Sequence, residues 1–144
     1  MTVNVLFVSV RNEARTHMAT AWFNALVHPG KAHATSAGTQ PAGSVDASIV
    51  DAMKEIGLDV SASSPRLLTL LVQSAADIVI IIAPPLPELA IAGTSPHDSW
   101  LLDEAVGRPV EGVRDVRSGT EKLVRRLLIS RQWLPYGASS PPGA

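Results

Sequence analysis

The segment richest in chemically useful side chains is Ser9-Val10-Arg11-Asn12-Glu13-Ala14-Arg15-Thr16. It follows a nearly continuous apolar run, Val3 to Val8, and precedes Met18, Trp22, Ala25 and Leu26, which recur at helical spacing. Backbone N–H groups in a strand-to-helix turn can converge on an anion, and the helix N-terminus adds positive potential. Arg15 offers a planar fork that matches two oxygens of a phosphate, arsenate or carboxylate. Asn12 tolerates a left-handed backbone and can hold the turn by local hydrogen bonds. Thr16 is placed to cap the helix or to donate to position 9. Ser9 and Glu13 add a hydroxyl and a carboxylate. An ordinary strand-to-helix turn with one solvated arginine has the same residue types, so spacing alone leaves both readings open.

Other chemistry is excluded or weakly signalled. The chain has no cysteine, which rules out disulfides, thiolate metal sites and thiol nucleophiles. The four histidines, His17, His28, His33 and His97, lack metal-ligand spacing, so no metal and no cofactor is expected. A second acidic feature, Asp103-Glu104, lies near the C-terminal helix. The net charge of −1 gives no overall pull toward nucleic acid or a membrane. No apolar run reaches the roughly 18 residues of a membrane span. Met1 to Ser9 lacks a basic leader, so a cytoplasmic protein without a signal peptide is expected.

These residues need a scaffold. The 144 residues suffice for one domain, read here as 1–134, with a Pro/Gly/Ser-rich tail over 135–144 expected to be mobile. Strands are predicted over Val3 to Val8, Ala32 to Ala37, Asp77 to Ala83 and around Trp100. The third is β-branched throughout its core, Ile78-Val79-Ile80-Ile81-Ile82. Helices are predicted from Met18 to the stop at Pro29-Gly30, around Ile49, Met53 and Ile56 up to Gly57, and over Leu67 to Ala75. A last helix opens at Pro109 and carries Val113, Val116, Leu123, Leu127 and Leu128 on its apolar face. Arg114, Arg117, Arg125 and Arg126 are read as its solvated side. Alternating strands and helices imply an α/β fold with a mostly parallel sheet flanked by helices. Ligands in such folds bind beyond the carboxyl ends of the strands, where the Ser9 to Arg15 loop falls. The segment Ala83 to Ile91, with three prolines, is either a rigid surface loop or a pocket wall.

The run Val5 to Ala19 resembles the first strand, phosphate loop and first helix of the low-molecular-weight tyrosine phosphatase and arsenate reductase family. The family pattern there is cysteine, five residues, arginine, then serine or threonine, with an asparagine inside the loop. Thr35 to Pro41, Ala52 to Asp59, Pro65 to Thr69, Ala76 to Ile80 and Gly107 to Arg114 match later family segments in order. The resemblance implies a three-layer fold with a central four-stranded sheet, and ligand contacts from Ser9, Val10, Arg11, Asn12, Glu13, Ala14, Arg15 and Thr16. It also exposes three departures. Ser9 stands where the family has its nucleophilic cysteine. Ala83-Pro84-Pro85-Leu86-Pro87 replaces the reductases' redox cysteines. Glu104-Ala105 stands in place of the aspartate–proline pair that supplies the general acid.

Two functions are compatible with this pattern. One is a repurposed, thiol-independent enzyme that anchors an anionic small molecule on the loop. It would use Asp103, Glu104, Ser9 or Glu13, with His97 as a further candidate, for acid–base chemistry such as dehydration, isomerisation or cyclisation. The other is a non-catalytic pseudophosphatase that binds an oxyanion, phosphorylated or carboxylate ligand.

Overall fold

A computed structural model describes residues 2–89 and 97–135. Its elements run β1 (Val3–Ser9), α1 (Arg15–Leu26), β2 (Ala32–Gly38), α2 (Ala47–Lys54), α3 (Leu70–Ser74), β3 (Ile78–Ala83), β4 (His97–Leu101) and α4 (Val110–Arg131). The four strands form one sheet in the order β2-β1-β3-β4, with every pairing parallel. The central strands β1 and β3 are buried on both faces, as their unbroken apolar runs require. The edge strands are the less apolar ones. Only Trp100 of β4 is buried, and β2 alternates between buried and exposed positions in its first half.

The pleat sorts β1 into two cores. Val5 and Phe7 pack with Ile80 and Ile82 against Phe23 of α1 and Val124 and Leu128 of α4. Leu6 and Val8 pack with Val79 and Ile81 against Leu68 on the opposite face. A third cluster joins Met18 of α1, Ile49 and Met53 of α2, and Val113 and Val116 of α4. Phe7 is the hub of the first core, with ring centroids 6.1 Å from Phe23 and 5.4 Å from Trp100. Full burial of such a side chain contributes about 1.5–3 kcal/mol. The three-layer α/β architecture is therefore as expected.

Several boundaries and roles differ from the sequence reading. The helix expected over Leu67 to Ala75 begins only at Leu70, where Thr69 Oγ1 caps it by accepting from Val72 N at 3.1 Å. Leu67 and Leu68 are instead held at the end of β2, with Leu68 N donating to Gly38 O at 2.8 Å. Pro109 is the cap of α4, not its first residue: its ψ is 159° and its carbonyl accepts from Val113 N. Arg117 is not a solvated side chain. It donates to Ala52 O at 2.6 Å and to Glu55 Oε1 at 2.7 Å, and together with Arg114 it ties α4 to α2. Of the pocket-wall segment, Ala90 and Ile91 lie outside the described residues, as does the tail from 136 onward.

Candidate functional site

Because β1 lies between β2 and β3, the chain reverses direction across the sheet at β1 and β3. Such a switch point opens a crevice at the carboxyl ends of the strands. A cleft of about 210 Å³ occupies this place. Its lining comes from three connections: Ser9 to Arg15 after β1, Pro85 after β3, and Glu104, Ala105 and Val106 after β4.

The β1–α1 loop is held from outside. The carbonyls of Ser9, Val10, Arg11 and Glu13 accept from the N–H groups of Thr39 (3.2 Å), Gln40 (2.8 Å), Ala42 (2.9 Å) and Asp46 (2.9 Å). Asn12 O takes the His17 ring at 2.9 Å, and Ala14 O takes Met18 N at 3.1 Å. These donors lie outside the cleft lining. In a planar trans peptide the N–H of the next residue points opposite to the carbonyl. With the carbonyls held by these donors, each N–H of residues 10 to 15 is directed away from the donor that holds the preceding carbonyl. Asn12 N is satisfied locally by Ser9 Oγ at 2.9 Å. The remaining N–H groups, next to the start of α1, form a concavity suited to negative charge.

Asn12 is the keystone of the turn. It is fully buried with φ of 49°, a conformation asparagine tolerates. Its amide nitrogen donates to Thr16 Oγ1 (2.7 Å) and Ser36 Oγ (3.0 Å), and its Oδ1 accepts from Arg66 N (2.8 Å). Thr16 thus supports Asn12 and does not cap the helix. The cap position is Ala14, with no side-chain bond. His17 is buried, and burial holds its imidazole below the usual histidine range, with the bond to Asn12 O opposing. A carbonyl only accepts, so Nε2 carries the proton. Gly38 completes the support. A Cβ there would stand 2.7 Å from Val10 O and 2.8 Å from Asn12 Cβ, so only glycine lets β2 approach the loop this closely.

Arg15 is not the free fork expected from its position. It is 7% exposed, and its Nη1 donates to Leu102 O at 2.7 Å. That contact clasps the β4–α4 loop to the β1–α1 loop. Burial lowers the Arg15 pKa, while the charges of Glu104 and then Asp103 oppose the shift. Asp103 and Glu104 are both exposed, and of the two only Glu104 lines the cleft. Glu13, half-buried, lines the cleft too. His97 starts β4, at the strand end remote from the cleft. Trp100 is buried in the core against Phe7, and Leu86 borders a neighbouring groove. Pro85 lies in the segment read as a surface loop or pocket wall, and it lines the cleft, as does Ala105 beside Glu104. Sequence reasoning missed Val106 in the lining, and Ser36, Gly38, His17 and Arg66 behind the loop. Ser36 and Gly38 fall in the Thr35 to Pro41 segment that resembles the family, but that resemblance did not place the segment against the loop.

Among the described residues no group of three or more His, Asp or Glu is placed to hold a metal ion. Nor is any described helix long and apolar enough to cross a membrane.

The sequence profile of the low molecular weight phosphotyrosine protein phosphatase family matches residues 4–89. A candidate arsenate reductase of Halobacterium salinarum is 30% identical over 122 residues, covering 82% of this chain and 85% of that protein. The crystal structure of arsenate reductase from Archaeoglobus fulgidus superposes with a TM-score of 0.74 at 28% identity, over 86% of this chain and 98% of that one. An arsenate reductase solved in a phosphate-binding state gives a TM-score of 0.70 at 25% identity, over 88% and 98%. Profile, sequence and fold agree: the chain belongs to the low molecular weight phosphotyrosine protein phosphatase family, as a divergent member that lacks the nucleophilic cysteine.

Proposed function

We propose that the protein binds the oxyanion of a small molecule on the 9–15 loop and performs no thiol chemistry there. One observation carries this reading: the loop's carbonyls are drawn away from the cleft, which leaves a set of N–H groups beside the buried Arg15 guanidinium. The phosphate-binding state of the related arsenate reductase supports an anion as the ligand class. A serine hydroxyl needs an adjacent base to become a nucleophile. The hydrogen bond given to Ser9 Oγ is one it accepts from Asn12 N, and this serves the turn. Calorimetry with inorganic phosphate tests the proposal. Arg15→Ala is expected to weaken binding by at most a few kcal/mol, since one charge-assisted contact is lost and the backbone donors remain. Equal affinity in the two proteins contradicts it.

A second reading, a thiol-independent acid–base enzyme, has one observation in its favour. Glu104 lines the same cleft as the loop. Under that reading Glu104→Gln lowers turnover of the true substrate by roughly 10²–10⁴, the usual share of acid–base catalysis.

A further inference from the structure

The cleft carries more negative charge than a plain oxyanion would favour. Two guanidinium-bearing residues, Arg11 and Arg15, and two carboxylate-bearing residues, Glu13 and Glu104, line it. Both arginines already donate to backbone carbonyls, Arg11 to Gln40 O at 3.2 Å and Arg15 to Leu102 O at 2.7 Å. Two positive and two negative side chains leave the lining with no net side-chain charge before any ligand arrives. Asp103, next to Glu104, adds a further negative charge that acts on Arg15. The cleft is small, about 210 Å³, so an anion at the loop lies well inside the roughly 8–10 Å over which salt screens charge. A bare dianion would gain from the N–H groups and Arg15 and be repelled by both carboxylates.

A cationic group on the same molecule reverses the second effect. We propose that the cleft selects compact zwitterions, molecules in which a protonated amine or guanidinium lies a few bonds from an oxyanion. The anion rests on the 9–15 loop and the cation lies against Glu13 and Glu104. This rests on the anion-binding reading of the loop. Size supports compactness, because the cleft is below the roughly 300–1,000 Å³ typical of small-molecule pockets. Glu13 and Glu104 come from different connections, one after β1 and one after β4, so the arrangement exists only in the folded chain. Either a phosphonate or a carboxylate can supply the anion, and the chemistry of selection is the same for both.

The test compares near-isosteric pairs by calorimetry on the full chain: 2-aminoethylphosphonate against n-propylphosphonate, and β-alanine against butyrate. In at least one pair the zwitterion is expected to bind tenfold tighter or more, and which pair responds identifies the anion. Glu13→Gln and Glu104→Gln should each lower that ratio severalfold, and the double variant should bring it near one. The plain anion should bind the variants as well as or better than wild type, which a merely structural role for the carboxylates would not produce. The preference should also shrink as ionic strength rises. A wild-type ratio near one, alongside measurable phosphonate binding, overturns the selectivity and leaves the anion reading standing. Binding of neither phosphate nor any of the four probes removes both.

Discussion

Replacing Asn12 with alanine separates the turn's side-chain scaffold from its backbone, and the structure sets the size of the effect. The change removes three hydrogen bonds, to Thr16, Ser36 and Arg66 N, at a site with no solvent exposure. Each contributes about 0.5–1.5 kcal/mol net. Alanine must also adopt φ near 49°, a conformation that costs it about 1 kcal/mol or more. The expected loss is about 3–4 kcal/mol, against a typical total of roughly 5–15 kcal/mol. With roughly 2.1 cal/mol/K of unfolding entropy per residue over 144 residues, this lowers Tm by about 10 °C. Thermal unfolding followed by circular dichroism measures it, and phosphate titration below the transition reads the site. Asn12→Gly serves as the control, since glycine accepts the backbone angle and loses only the hydrogen bonds. A loss under about 1 kcal/mol for the alanine variant, or alanine proving more stable than glycine, refutes the assignment of Asn12 as the keystone.

Three further outcomes are expected. Gly38→Ala should destabilise the fold by about 1–3 kcal/mol and weaken phosphate binding, because the new methyl meets the backbone of the loop; unchanged melting and affinity would show that β2 yields freely. Glu55, held by Arg114 and Arg117, has its carboxyl lowered from 4.5 to about 2, so its stabilising effect is complete above pH 4.5 and is lost as pH falls toward 2. Acid-unfolding curves of Glu55→Gln should accordingly be flatter across that window, and curves parallel to wild type would exclude the linkage. Purified protein should neither hydrolyse an aryl phosphate through a covalent intermediate nor reduce arsenate with thioredoxin, given Ser9 and the lack of thiols; turnover matching a cysteine-containing relative in the same assay would overturn this.

Much of the fold was legible because its signals are local. The β-branched run at 78–82 and the continuous apolar run at 3–8 became the two central strands, and Asn12 proved to be the left-handed residue of the turn. What escaped the sequence is long-range. Arg66 N reaches Asn12 across 54 residues and Arg15 reaches Leu102 O across 87, and no periodicity encodes either contact. The late start of the helix predicted over Leu67 to Ala75 has the same cause, since Leu67 and Leu68 are recruited by β2 before the helix can start. Arg117 looked solvated because its neighbours alternate in charge, yet the docking of α2 supplies it with Glu55 and Ala52 O. For the site, the loop residues were read directly from β1's exit. The contribution of Pro85, Ala105 and Val106 depends on the strand order, which brings the exits of β3 and β4 beside that of β1.

The central claim, that the loop after β1 receives an oxyanion on its backbone N–H groups, is open to direct observation by NMR. Amide resonances of a ¹⁵N-labelled sample can be followed while inorganic phosphate is added at constant ionic strength. The account predicts saturable shifts that are largest at Val10, Arg11, Glu13, Ala14 and Arg15, and that need higher phosphate to saturate in Arg15→Ala. Shifts that never saturate, or that centre elsewhere on the molecule while these five amides stay still, contradict it.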